Sequence, residues 1–413
     1  MSPDSLSFLV PLLVVAAVFF YLPGLRWRQG LFAVCNGAFL YLLLPNRSSW
    51  AALVLFLASG YGMARLLNKW PNRMLLWTYL VILVGAFAVL RQYDLVMALL
   101  PTSVLVRAVS IVGVSYMLFR QIQFIVDTMQ GQVEHLSVWN YLNYQVNLFT
   151  LLAGPIQRYQ EFQQQWDVLA PVLKDGHAVR AAYMRLLIGV IKMTALAPVF
   201  LGLYKNSARV LLTAGSSGAD LQRGMAVEHF FGILYFFPLY LYLNFSGYCD
   251  IVIAGARFVG VRLPENFDRP YLSRNIIDYW TRWHRTLGFW IRDYLFFPLY
   301  RAIATHRPEQ AESLAFLCYF VAFFVAGVWH GPEANFVLYG LFQGVGVSVA
   351  KLWERHLLKR RGRGGLREYL ESPRVRVASI LGTLHFACFS LLFFPVDINM
   401  TLQMLRTVWN AVV

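Results

Sequence analysis

The sequence is poor in charged residues and lacks the common motifs of soluble enzymes. Charged residues make up 14% of the 413-residue chain and hydrophobic residues 58%, whereas an average soluble domain carries roughly 25% charged residues. HExxH, DxD, Walker A and GxGxxG motifs are all missing. These absences argue against a soluble fold, a metal centre and a tightly bound cofactor.

Closely spaced cysteines are also missing from the sequence. The four cysteines stand singly, at Cys35, Cys249, Cys318 and Cys388. This spacing argues against a disulfide framework or a cysteine zinc site. We interpret the four as small, buried apolar side chains.

Long apolar segments recur along most of the chain, each about as long as a helix that crosses a hydrocarbon core of roughly 30 Å. They predict an all-α polytopic membrane protein with about 10–12 transmembrane helices. The predicted spans are 5–22, 30–45, 49–67, 74–90, 95–119, 181–204, 226–245, 311–330, 333–352 and 377–395. Shorter or more polar stretches are predicted to be re-entrant, tilted or interfacial, at 138–153, 246–261 and 397–413.

The net charge of +15 is concentrated in loops between the apolar segments. In a membrane protein this pattern indicates the positive-inside bias and contact with anionic lipid rather than nucleic acid. The most basic loops are 26–28, 65–73 and 359–365. Placing them in the cytoplasm puts the N-terminus outside, makes segment 311–330 run outward, and places the following HGPEAN sequence toward the outer side.

The region 262–310 mixes charged and aromatic residues too densely to span a bilayer. At helical spacing it predicts an amphipathic interfacial helix with one apolar and one charged face. The apolar face comprises Trp280, Trp283, His284, Leu287 and Ile291. The charged face comprises Asp278, Arg282, Arg285 and Arg292, and Asp278 and Arg282 are spaced for an i,i+4 ion pair.

The sequence contains eight histidines, whose imidazoles could accept or donate a proton in catalysis. Four lie in loops or charged surroundings and are expected to be solvated, namely His135, His177, His306 and His356. His229 and His385 lie in apolar helices, where hydrogen bonding to a neighbouring helix is expected. His330 differs because Gly331 and Pro332 stop its helix directly after it. An imidazole in a partly wet pocket there could take a proton from an alcohol; a hydrogen-bonded core histidine is the alternative.

Three segments resemble a known family. They are LLAGPIQRYQEF (151–162), the long stretch YLNFSGYCD to IRDYLFFPLY (242–300), and GVWHGPEANFVLYGLFQG (327–344). Over roughly 110–350 the chain resembles the bacterial branch of the membrane-bound O-acyltransferase family. That branch includes the membrane proteins of alginate O-acetylation and of teichoic-acid D-alanylation.

The resemblance implies one membrane domain over 1–413, with tilted helices around a funnel or tunnel. Its core would be 120–352, between N-terminal helices (1–119) and C-terminal helices (353–413). The family's near-invariant histidine falls on His330. The second motif histidine, in RWH, falls on His284, for which a structural role is the alternative. The multi-pass chain would lie in the cytoplasmic (inner) membrane of a bacterium.

The resemblance further implies transfer of an acyl group, which we expect to be acetyl from acetyl-CoA, to a hydroxyl of an envelope polysaccharide or of a relay partner. Because the loops are too short for an outer domain, we expect an extracytoplasmic partner. D-alanyl transfer from a cytoplasmic carrier protein toward teichoic acid is the alternative reaction. The loop after FFPLY departs from the alginate type, whereas ENFDRPYLS and LNFSGY are closer to that type. A non-catalytic transporter or scaffold is the alternative of another class.

Overall fold

The structure is a computed structural model, and it describes residues 6–44, 46–91, 113–170, 175–218, 221–331 and 333–413. Within these ranges the regular secondary structure is helical throughout. Six of the helical segments described are long and apolar enough to cross a membrane: Arg47–Lys69, Arg73–Leu90, Gly176–Ser217, Arg223–Phe258, Ala334–Glu371 and Pro373–Phe393. A shorter apolar helical segment covers Ser313–Trp329. The predicted all-α polytopic class is confirmed.

The chain divides into two compact units. The first contains Met1–Ile191 and Gly247–Pro264, and the second contains Lys192–Ser246 and Glu265–Val413. One long helix, Arg223–Phe258, contributes its first part to the second unit and its last part to the first.

Within its described residues, the first unit begins with eight helices. They are α1 Leu6–Tyr21, α2 Leu25–Leu43, α3 Arg47–Lys69, α4 Arg73–Leu90, α5 Val114–Met129, α6 Val138–Gln145, α7 Tyr159–Trp166 and α8 Gly176–Ile191. Asparagine side chains start two of them, because Asn46 Oδ1 accepts from Ser49 N at 2.8 Å and Asn72 Oδ1 from Leu75 N at 3.1 Å. Such caps satisfy backbone N–H groups that a helix leaves open at its start.

Two predicted segments of the first unit overlap the described helices only in part. The predicted span 95–119 lies mostly outside the described residues, and its described part, α5, continues ten residues further to Met129. The stretch 138–153 forms only the short helix α6 before an irregular connection leads to α7. Arg120 of α5 holds this connection by donating to Tyr144 O and Thr150 Oγ1, each at 2.8 Å.

The second unit holds the remaining helices, apart from the last part of the long helix Arg223–Phe258. They are α9 Ala197–Ser217, α10 Arg223–Phe258, α11 Ile276–Arg282, α12 Arg285–Ile291, α13 Phe297–His306, α14 Pro308–Trp329, α15 Ala334–Glu371, α16 Pro373–Ser390 and α17 Ile398–Val412. Wider π-helical turns precede α9 and α13, at Lys192–Leu196 and Arg292–Phe296. Inside α15 the helix is interrupted at Gly362, whose φ of +65° favours glycine.

The stretch 246–261, which was predicted to be re-entrant, tilted or interfacial, is not a separate segment. It continues the preceding span as a single 36-residue helix, α10, to Phe258. The polar sequence NFSGYCD has weak helix propensity, but the residues that follow it, from Ile251 to Ala256, are buried. Packing of this kind commonly overrides local propensity in a helix.

The histidines and cysteines outside the site agree in part with expectation. His229 Nδ1 lies 3.4 Å from Ser207 Oγ on α9, a contact with a neighbouring helix, as predicted. His385 instead donates from Nδ1 to Leu381 O of its own helix at 2.7 Å, because its side chain is exposed. Three cysteines are buried and the fourth is half-buried, as expected for small apolar side chains.

Candidate active site

His330 lies at the carboxyl end of α14, where its backbone N–H donates to Gly327 O at 3.0 Å. The half-buried imidazole is surrounded by aromatic rings. Ring centroids lie 5.0 Å away at Trp329, 5.1 Å at Phe394, 6.0 Å at Tyr339 and 6.3 Å at Phe336. The predicted position of this imidazole at the end of a helix is confirmed.

His284 lies in a break between two short helices rather than within one helix. The predicted continuous amphipathic helix is therefore wrong: α11 ends at Arg282 and α12 begins at Arg285. His284 has φ 44° and ψ 49°, a left-handed conformation that is uncommon outside glycine, although Asn, Asp and His adopt it more often than other residues. Two seven-residue helices are also too short to span a membrane.

Backbone pairing with an earlier segment explains the break. Asp268 N donates to Arg282 O, and Arg285 N donates to Asn266 O, both at 2.9 Å. These bonds engage backbone groups on both sides of His284 that a continuous helix would use internally. The segment around Asn266 thus holds the backbone at His284 in its left-handed conformation.

The two faces predicted for this region survive the break. All five residues of the apolar face are buried, whereas the four charged residues are half-buried or exposed. Asp278 and Arg282 form the predicted ion pair, with Arg282 Nε 2.7 Å from Asp278 Oδ1. Because this apolar face is buried, His284, which belongs to it, points into the protein.

The imidazole of His284 bonds to the side-chain oxygen of Asn266. Asn266 Oδ1 lies 3.0 Å from His284 Nδ1, and it also accepts from Thr286 N at 3.3 Å and Thr286 Oγ1 at 2.8 Å. A backbone N–H can only donate, so the Asn266 atom facing Thr286 must be the carbonyl oxygen. His284 Nδ1 therefore carries the proton, and Nε2 is the nitrogen with the lone pair.

Electrostatics keep His284 neutral. Its side chain is 3% exposed, and this burial, followed by the nearby His330, lowers its pKa to about 3. Desolvation and a neighbouring group that can carry like charge both disfavour the imidazolium form. The structure thus brings the two predicted site residues close enough to influence each other, with His284 as a neutral acceptor at physiological pH.

Two residues of the site were not singled out from the sequence. Asn266, which bonds His284, belongs to the ENFDRPY motif, which gave no sign of this contact. Gln343 accepts from Trp280 Nε1 at 3.1 Å and donates to Ser390 Oγ at 2.8 Å. This buried chain ties α11 to α15 and α16, and a lone glutamine in an apolar helix was its only signal in the sequence.

Comparison with known proteins identifies the family to which the chain belongs. Residues 74–361 match the sequence profile of MBOAT, the membrane-bound O-acyltransferase family. The chain belongs to this family. Both histidines, Asn266 and Gln343 lie inside the matched range, and the six apolar helices make the chain a multi-pass membrane protein.

Similar members of the family carry different names. A teichoic acid D-alanyltransferase of Streptococcus thermophilus is 25% identical over 291 residues, which cover 70% of this chain and 68% of that protein. A probable alginate O-acetylase of Pseudomonas fluorescens is 26% identical over 339 residues, 80% of this chain and 62% of that protein. A peptidoglycan O-acetyltransferase of Helicobacter pylori is 29% identical over 222 residues, 52% of this chain and 38% of that protein.

Proposed function

We propose that this membrane-bound O-acyltransferase moves an acetyl group from a cytoplasmic thioester donor, acetyl-CoA, to a hydroxyl on the outer side of the bacterial cytoplasmic membrane. The acceptor is an envelope polysaccharide, or a relay partner that passes the acetyl group to it. The observation that carries the proposal is the pairing of a half-buried His330 with a neutral His284 whose tautomer is fixed by Asn266.

His330 is the general base in this proposal. The acceptor oxygen attacks the thioester carbonyl carbon, the new C–O bond forms, the C–S bond breaks, and the thiolate leaves with the bonding electrons. The hydroxyl proton passes to His330, a contribution typically worth about 10²–10⁴ in rate. His284 stays neutral, with its proton on Nδ1, and so adds no positive charge beside the base.

The direction of transfer follows from the charge along α15. This helix begins four residues after His330, and residues 351–367 carry seven Lys or Arg and one Glu. From Ala334 to the break at Gly362 it rises about 42 Å, more than the roughly 30 Å of a hydrocarbon core. The basic end belongs in the cytoplasm by the positive-inside rule, which puts His330 toward the outer side.

D-alanyl transfer is the second candidate, and the D-alanyltransferase of Streptococcus thermophilus supports it. A small cytoplasmic carrier protein would then present the acyl group, and teichoic acid would receive it. Acetyl is preferred because ENFDRPYLS and LNFSGY resemble the polysaccharide-acetylating type, and because two of the three similar proteins described above are named for O-acetylation.

Replacing the base tests the proposal directly. His330→Ala should abolish the alkali-labile acyl esters of the envelope, whereas His385→Ala, an exposed histidine on α16, should leave them unchanged. Mild base followed by mass analysis of the released acid identifies the acyl group, and membrane levels of each variant are measured in parallel. Release of acetate supports the proposal, and D-alanine supports the second candidate. Unchanged esters in a normally inserted His330→Ala variant would instead indicate a transporter or scaffold.

A further inference from the structure

A polar groove lies between the carboxyl-terminal half of α9 and helix α17. It has a volume of about 740 Å³, within the range of roughly 300–1,000 Å³ typical of ligand pockets. Its polar lining comes almost entirely from one face of α17, through Asn399, Gln403, Arg406, Thr407 and Asn410. We call it the α9–α17 groove.

Close packing of the two helices forms the floor of this groove. Gln403 Nε2 donates to Leu212 O at 3.3 Å and to Ser216 Oγ at 2.8 Å. Gly215 packs so closely against Thr407 that a Cβ atom at position 215 would overlap the threonine hydroxyl. Two helices fixed by these contacts give the groove a preformed wall, which reduces the cost of ordering it around a ligand.

Three side chains of the lining are available for a ligand. Asn399, Arg406 and Asn410 are exposed, and among the described residues their side chains have no hydrogen bond or ion pair. Each amide offers both donors and an acceptor, which matches hydroxyl groups that also donate and accept. The guanidinium of Arg406 suits a carboxylate or phosphate. The set therefore fits a polyhydroxylated ligand that carries negative charge.

The helix that supplies the polar lining of the groove begins near His330. The ring of Phe394 packs 5.1 Å from that of His330, and α17 begins only four residues later, capped by Asp397. From Ile398 to Arg406 the helix rises about 12 Å. The basic end of α15 lies at the other end of that helix, so the groove shares the outer face that we assign to His330.

The polar wall of the groove, on α17, lies outside the part of the chain that matches the family profile. The profile match ends at residue 361, whereas every polar residue of the lining lies between 399 and 410. The described relatives are named for different polymers, alginate, peptidoglycan and teichoic acid. A binding feature that selects the polymer is expected to differ between members of the family, whereas the catalytic core is expected to be shared.

We propose that the α9–α17 groove binds a segment of the acceptor, a polyhydroxylated glycan bearing carboxylate or phosphate groups, and holds it beside the site of His330. The proposal rests on the proposed function for the identity of the acceptor. A protein partner is the other class of occupant, but its interface is usually larger and enriched in aromatic residues. The lining described for this groove has no aromatic side chain.

Binding to the full-length protein in lipid nanodiscs tests this proposal. The probes are alginate oligosaccharides for carboxylate, lipoteichoic acid for phosphate, and neutral dextran oligosaccharides as the uncharged control. We expect one anionic probe to bind in a saturable and salt-sensitive manner, and dextran to bind more weakly. Arg406→Ala and Asn410→Ala should each weaken binding by about tenfold, the scale of one hydrogen bond to a charged group.

Matched variants separate this proposal from the function on which it rests. Arg209→Ala, an exposed arginine of α9 outside the groove, and His330→Ala should both bind the probe like the wild type. Equal binding by the groove variants, or no binding of either anionic probe, overturns the groove proposal and leaves the His330 chemistry unaffected. Conversely, unchanged envelope esters in a normally inserted His330→Ala variant, together with intact, groove-dependent binding, would overturn only the proposed function.

Discussion

Gly327 and Gly340 bring α14 and α15 into direct backbone contact three residues before His330. A Cβ atom at Gly327 would overlap Gly340 Cα, and one at Gly340 would lie 2.7 Å from Phe324 O. The absence of side chains lets the two helices approach closely, as small residues do in membrane bundles. The close approach fixes where the end of α14 presents the imidazole.

Adding a methyl group at Gly327 should therefore damage both stability and activity. Gly327→Ala forces the helices apart, and overpacking of this kind costs about 1–3 kcal/mol. We expect a lower thermal unfolding midpoint in detergent and reduced ester content in cells. Gly382→Ala on α16, where the added Cβ meets nothing within 4 Å, should be neutral or slightly stabilising. A Gly327→Ala protein as stable as the wild type would contradict the close packing.

Asn266→Asp should change the protonation state of His284 while leaving the fold of the site intact. Aspartate keeps an oxygen that can accept from His284 and Thr286, so the unfolding midpoint should change little. Its negative charge, however, favours the imidazolium form and raises the pKa of His284. Transfer should therefore fall at neutral pH and recover as the pH rises, whereas Asn266→Ala should lose stability at every pH because the Thr286 donors lose their acceptor. The rate of acyl transfer and the unfolding midpoint, each measured over a range of pH for both variants, check this prediction.

Acid should destabilise the wild-type protein through His284. In the unfolded chain this histidine binds a proton below pH of about 6.5, but in the folded protein only near pH 3. Between these values the unfolded state binds more protons, so stability falls as pH falls, by up to about 1.4 kcal/mol per pH unit. Unfolding midpoints between pH 7 and 4 should show this loss. His284→Asn should reduce the slope, and an unchanged slope would contradict the assignment.

Breaking the Trp280–Gln343–Ser390 chain should loosen the helix pair that carries His284. Gln343→Leu conserves the bulk of the side chain but leaves Trp280 Nε1 and Ser390 without their shared partner. An unsatisfied buried donor costs about 1–3 kcal/mol. We expect a lower unfolding midpoint, measured against Gln310→Leu at the exposed start of α14. Equal midpoints for the two variants would show that the chain does not contribute.

Much of this fold could be predicted because membrane helices are encoded locally. Apolar length alone located segments such as α3 and α4, since a bilayer leaves helices as nearly the only way to satisfy the backbone. Helical spacing also gave the correct buried and charged faces of 276–292. Gly331 and Pro332 predicted that a helix would end near His330, and α14 does end at Trp329.

The features missed depend on contacts between residues far apart in sequence. The break at His284 arises from pairing with Asn266 and Asp268, more than a dozen residues earlier, which no local pattern records. The same contact fixes the imidazole tautomer. The continuation of α10 through NFSGYCD likewise depends on packing that its polar composition does not show. The site residues were thus identifiable by type, whereas their arrangement required the fold.

The left-handed backbone at His284 determines which replacements there can be interpreted. A non-glycine residue in this region stores strain of order 1–3 kcal/mol. Each substitution therefore has two effects, the loss of the imidazole and a change in how well the residue tolerates a positive φ. Alanine fails both criteria, and its phenotype would not distinguish lost chemistry from a displaced loop. Glycine and asparagine adopt this conformation readily. Among all replacements at position 284, glycine and asparagine therefore show the effect of losing the imidazole without added backbone strain.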